Sequence, residues 1–114
     1  MSEVTDVVDA QIDAYFARNL ERFVACYAPD VVITNSSGEA LAEGHDSVRE
    51  MYGGLFENSP QLAGRIANRI VVGSFVADHE EIEGFNMPGS PSSIDAIAVY
   101  QVSDGRISRV ALYF

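Results

Sequence analysis

Residues 93–114 read Ser-Ile-Asp-Ala-Ile-Ala-Val-Tyr-Gln-Val-Ser-Asp-Gly-Arg-Ile-Ser-Arg-Val-Ala-Leu-Tyr-Phe. Two runs rich in β-branched and aromatic residues, 93–102 and 106–114, flank the pair Asp104-Gly105. An Asp-Gly pair suits the two positive-φ positions of a type I′ turn, so this stretch predicts a β-hairpin. Working back along the chain, residues 65–72 and 75–85 have the same character and are parted by Gly73-Ser74. The turn-rich segment 86–92 separates them from the hairpin. Four successive strands of this kind predict an antiparallel meander.

Before residue 60 the period changes. Val4, Val8, Ile12, Tyr15 and Phe16 fall on one stripe of a helix, for which Ser2 or Thr5 is the expected cap. The pattern breaks at Arg18-Asn19 and restarts with Asn19 as N-cap and Leu20, Phe23, Val24 and Tyr27 on one face. Pro29 is expected to end this second helix. Residues 31–34 are β-branched, Ser36-Ser37-Gly38-Glu39 supplies a turn, and 40–43 can return as a partner strand. A third helix is expected to start between His45 and Ser47, carrying Val48, Met51, Tyr52, Leu55 and Phe56, and to stop at Asn58-Ser59-Pro60. Helices first and a meander after them predict an α+β fold, with about three helices packed on one face of a curved antiparallel sheet.

A chain of 114 residues, 47% of them hydrophobic, supports one domain spanning 1–114. Its net charge is −10, and it contains no lysine. The balance is −8 up to Glu57 and −2 beyond it, so neither half offers the basic stripe that nucleic acid or an anionic membrane requires. The single cysteine, Cys26, cannot form an intrachain disulfide, and the longest apolar runs, such as Ile70-Val71-Val72, are far shorter than a bilayer span. The first residues lack the positive start of a signal peptide, so a soluble, cytoplasmic protein is expected.

Several chemical signatures fail on inspection. Gly53-Gly54 has no phosphate-loop context, and His79-Glu80-Glu81-Ile82-Glu83 has Glu83 where a zinc protease needs its second histidine. His79, Glu81 and Glu83 share one face of a strand, which is expected to be a solvated acidic face; neither a metal nor an organic cofactor is expected. Cys26, on an apolar stripe, is expected in the core.

The order of elements carries a resemblance, together with Tyr27-Ala28-Pro29-Asp30-Val31-Val32, Glu43-Gly44-His45-Asp46-Ser47-Val48 through Tyr52, and Asp104-Gly105-Arg106-Ile107. From about Val4 to Phe114 the chain resembles the nuclear transport factor 2-like superfamily, and within it ketosteroid isomerases and SnoaL-like proteins. That resemblance implies a cone-shaped sheet closed by helices around an apolar pocket, in a homodimer whose sheets pack face to face. Ketosteroid isomerases use a carboxylate base, with a tyrosine and a protonated acid stabilising the enolate. On this chain the base position falls on Asn35 and the acid position on Ala98. The tyrosine position falls on Gln11, or on Tyr15 if a gap is allowed. Tyr27 and Tyr52 match two tyrosines that support the oxyanion tyrosine in some members, and both also fit ordinary helical core stripes. Asn35 also fits a strand end that satisfies the turn after it.

The resemblance thus implies a pocket bordered by Gln11, Tyr15, Tyr27, Asn35, Tyr52 and Ala98, with Val110, Leu112 and Phe114 from the last strand. Strand alternation puts Asp78 and Glu80 on one face and His79 and Glu81 on the other, and Asp78 or His79 is the expected proton acceptor if the protein is an enzyme. The expected function is a pocket for a small apolar organic molecule, with cofactor-free proton transfer or hydration but without the isomerase residues. The alternative is a non-catalytic ligand-binding or dimerisation module. A buried polar group at the base of a deep pocket favours the enzyme, a wholly apolar pocket the binding module, and a filled cone the scaffold.

Overall fold

The computed structural model describes residues 3–86, 88–89 and 91–114. Three helices, α1 (Glu3–Ala17), α2 (Leu20–Ala25) and α3 (Gly44–Asn58), accompany six strands. The strands are β1 (Tyr27–Thr34), β2 (Ala40–Glu43), β3 (Ala63–Val72), β4 (Phe75–Glu83), β5 (Ser93–Ser103) and β6 (Arg106–Tyr113). They form one sheet in the order β2-β1-β6-β5-β4-β3, giving the expected α+β architecture.

Local chemistry accounts for most boundaries. The Asn19 side chain accepts from the backbone N–H of Arg22 at 3.2 Å, capping α2. Asp104 and Gly105 have φ of 52° and 74°, the paired left-handed conformations of a type I′ turn. Thr5 lies inside α1, and Ser2 lies outside the described residues. The second helix ends before Pro29, with Cys26 as its C-cap, and Tyr27, Ala28 and Pro29 already belong to β1. The pairing of β1 with β6 shifts register between Tyr27 and Val32, and a residue without an N–H is tolerated in such an irregular stretch.

The meander β3–β6 and the hairpin β1–β2 are antiparallel, whereas β1 joins β6 in parallel. Burial patterns do not encode that direction; it follows from the route of α2, which delivers Cys26 to the start of β6, where Ile107 N–H donates to its carbonyl at 2.9 Å. Further register shifts in β3 and between β5 and β6 mark bulges, which bend strands and curl the sheet around the helices. Gly64 on β3 lies against the Phe16 ring and the Glu81 carbonyl, in space that a Cβ would occupy. The absence of a side chain there lets α1 approach the sheet.

The core fills the concave side. Val8 and Ala14 of α1, Phe23 and Val24 of α2, and Val48 and Phe56 of α3 meet Val31, Ile33, Val76, Ile107 and Val110 of the sheet. Among the described residues, no helix is long and apolar enough to cross a membrane.

Candidate functional site

The concave face does not close completely on the helices. It leaves a cavity of about 430 Å³, enough for a small organic molecule. Helix α1 contributes Gln11, Ile12, Tyr15 and Phe16, and α3 contributes Met51, Tyr52 and Leu55. Inward positions of the sheet add Tyr27, Ile66, Glu80, Ile82, Ala96 and Tyr100, then Val110 and Leu112. Phe85, Pro91, Ile94 and Phe114 complete the lining; Phe114, 78% exposed, stands where the cavity meets solvent.

Three tyrosines owe their places to one phenylalanine. Phe23 packs its ring 4.6 Å from that of Tyr52, 5.0 Å from Tyr27 and 5.9 Å from Tyr15, centre to centre. Phe56 adds a further contact at 5.4 Å. Such tilted and edge-on arrangements are the favoured ones for aromatic pairs and hold each ring at a defined angle. Behind them, Nε2 of His45 donates to the Tyr27 carbonyl at 2.8 Å, tying the start of β1 to α3. Burial raises the pKa of Tyr15, Tyr27, Tyr52 and Tyr100, so all four hydroxyls stay protonated at neutral pH.

Glu80 is the single charged side chain among the described residues that border the cavity. It sits in the middle of β4, and the Tyr100 hydroxyl donates to its Oε2 at 2.7 Å. Burial in this apolar setting pushes its pKa up to about 7, against the pull of the Tyr100 hydrogen bond. Asp78 adds to the rise and Arg69 opposes it. A carboxyl with that pKa exchanges a proton readily at neutral pH, the property that general acid–base chemistry needs.

The expected acceptors lie elsewhere. Asp78 shares the inward face with Glu80, but it is fully buried and holds Arg69 through two hydrogen bonds of 2.7 and 2.9 Å. Arg69 also reaches Asp9 of α1 at 2.7 Å, so this group clamps helix to sheet and does not border the cavity. His79 points to the convex face, where Nε2 lies 2.9 Å from Asp95 and the side chain is 40% exposed. Strand parity paired Asp78 with Glu80 and His79 with Glu81 but left open which pair faces inward, and it could not tell which acid an arginine on the next strand would engage.

Of the expected pocket residues, Gln11, Tyr15, Tyr27, Tyr52, Val110, Leu112 and Phe114 border the cavity. Asn35 does not: its Oδ1 accepts from the N–H groups of Ser37 at 2.9 Å and Glu39 at 3.0 Å, satisfying the turn. Ala98 is fully buried and lies beside Asp78 across the strand pair, away from the lining. The cavity also takes in Glu80 and Tyr100, which are not among the expected pocket residues. Glu80 was nevertheless legible, since parity put it with Val76 and Ile82 on the buried face of β4.

On the convex face His79, Glu81 and Asp95 place one potential ligand atom each within 4.8 Å of one another. His79 is bonded to Asp95, and Glu81 accepts from Arg65 at 2.7 Å. This is the only group among the described residues with the donors for a metal ion, and ordinary ion pairs account for its geometry.

A model of the SnoaL-like domain matches residues 8–110. No curated protein matches the chain in sequence. Among solved structures, an uncharacterised cystatin-fold protein from Novosphingobium aromaticivorans is 28% identical with a TM-score of 0.85, over 98% of this chain and 97% of that one. A provisionally assigned polyketide cyclase from Sinorhizobium meliloti is 17% identical with a TM-score of 0.76, over 98% and 99%. A provisionally assigned ketosteroid isomerase from Kribbella flavida is also 17% identical at 0.76, over 97% and 76%. At 17% identity the likeness concerns the fold and leaves the chemistry to the site. With residues 8–110 matched by that model, and with the fold shared by these solved structures, the chain belongs to the SnoaL-like domain family of the nuclear transport factor 2-like superfamily.

Proposed function

We propose that the protein binds a small, largely apolar organic molecule in the cavity and exchanges a proton with it through Glu80, without a cofactor. The observation that carries this reading is Glu80 itself: a carboxyl pushed up to about 7 by burial, hydrogen-bonded by Tyr100, among otherwise uncharged walls. A carboxyl has no reason to be held there for packing alone, because an apolar side chain would avoid its desolvation penalty. Two solved neighbours are named for cyclisation and isomerisation, reactions in which an acid–base group moves protons on an organic molecule. In this reading Glu80 carries the proton, and the isomerase positions at Asn35 and Ala98 take no part.

Native mass spectrometry of the purified protein should find a small organic molecule bound to the chain. Ala96→Phe, which fills the cavity from β5, should abolish its retention. The released molecule, returned to the protein in deuterated water, should gain deuterium at carbon with the wild type and not with Glu80→Gln. Retention without exchange would favour the binding module, and no retained molecule together with no uptake of apolar probes would remove both readings.

A further inference from the structure

We propose that the cavity takes a hydrophobic amine as its ammonium cation, with the nitrogen on Glu80 and the apolar body among the rings of Tyr15, Tyr27 and Tyr52. This rests on the binding half of the reading above and adds the chemical class of the ligand.

The charge pattern of the walls excludes the opposite class. No arginine, lysine or histidine borders the cavity among the described residues. A carboxylate or phosphate ligand would therefore be buried without a counter-charge and beside an acid, an arrangement with a heavy desolvation penalty. Arg69, the nearest cation by its influence on Glu80, is committed to Asp78 and Asp9.

A vacant acceptor points the same way. Gln11 borders the cavity that holds Glu80, is 5% exposed, and its buried Oε1 lacks a hydrogen-bond partner among the described residues. An unsatisfied buried acceptor is costly, and a ligand bearing several N–H donors can relieve such groups where an ether or hydrocarbon cannot. The rings of Tyr15, Tyr27 and Tyr52 add electron-rich faces that attract a cation, and their hydroxyls can accept as well as donate. The chain's net charge of −10 favours approach of a cation over an anion.

The pH dependence of binding separates this class from neutral ligands. An ammonium needs Glu80 ionised, whereas a neutral acceptor such as a ketone needs it protonated. The other groups facing Glu80 do not confuse the window. Tyr15, Tyr27, Tyr52 and Tyr100 are pushed further above neutrality by burial, Arg69 remains charged, and Asp78 is held by Arg69.

Isothermal titration of the full chain with 4-phenylbutylamine, 4-phenylbutanol and 4-phenylbutyrate tests the proposal. The amine should bind at least about tenfold more tightly than the alcohol at pH ~8, and the carboxylate should not bind. Amine affinity should rise about tenfold from pH ~6 to pH ~8, as expected for one carboxyl titrating near 7. The heat should depend on the buffer, reporting proton release. Glu80→Gln should narrow the gap between amine and alcohol and flatten the pH profile. Alcohol binding as tight as amine binding, or affinity that falls as pH rises, would overturn the amine while leaving the cavity as a binding site. If none of the three binds at millimolar concentration, the cavity reading falls and takes this proposal with it.

Discussion

Glu80 concentrates the energetics of this fold in one proton. Its pKa rises from an ordinary 4.5 to about 7 on folding, so between these values the folded chain holds a proton that the unfolded chain has lost. The associated stability is complete below about pH 4.5 and declines as pH climbs through about 7, by about 3 kcal/mol in all. Glu80→Gln keeps an acceptor for Tyr100 and abolishes the titration. Its unfolding free energy, measured in urea, should match the wild type near pH ~5 and exceed it progressively toward pH ~8. A constant difference across that range would show that the carboxyl is not held in its neutral form. Asp78, two residues away, is also buried, but its carboxylate is paired with Arg69. Arg69→Ala should cost about 3–5 kcal/mol, since it strands a fully buried charge. Replacing the pair together, Arg69→Met with Asp78→Leu, should restore most of that loss in the same assay.

The elements that shape the cavity are short, and each holds another in place. Helix α2 spans only Leu20–Ala25, too short to be stable alone, yet its Phe23 touches the rings of Tyr15 on α1, Tyr27 on β1, and Tyr52 and Phe56 on α3. Phe23→Ala should lower stability by about 3–5 kcal/mol in chemical denaturation, the usual effect of removing a buried ring. It should also weaken ligand uptake, because three cavity walls lose their common support. Arg69 plays a comparable part on the other side, with Asp9 on α1 and Asp78 on β4 in its grip. The register of β4 against β3 and β5 decides which acids it can reach.

At the scale of the whole molecule, no helix among the described residues covers the convex face of the sheet. Ile70 is 66% exposed there, Phe75 47%, Ile97 49% and Tyr113 42%, and Val99 and Ala111 lie on the same face. Apolar residues clustered on an uncovered sheet face mark an association surface. We propose that two copies pack these faces together with two-fold symmetry, leaving the cavities on the outer sides. Light scattering across a dilution series should report a dimer at micromolar concentration, and Ile97→Asp should shift it to monomer without altering ligand binding, since Ile97 faces away from the cavity. A wild-type chain that stays monomeric at high micromolar concentration would sink the proposal.

Local chemistry alone settled much of this protein. Alternation and helical period marked the elements, Asp104-Gly105 specified its own turn through two left-handed residues, and Asn35 was legible as a turn residue because its partners lie within four positions. The stripe positions of Tyr15 and Tyr52 followed from the same periodicity, whereas Tyr27, expected on the second helix, opens β1. What the tertiary structure decided were pairings between distant positions. Strand parity placed Asp78 and Glu80 on one face, but only the neighbouring strand's register gave Asp78 an arginine and left Glu80 facing apolar walls beside Tyr100. The parallel seam of β1 with β6 is of the same kind. A residue's face is a property of its own strand, readable from spacing; its partner, its dielectric surroundings and therefore its pKa belong to contacts that folding brings together from across the chain.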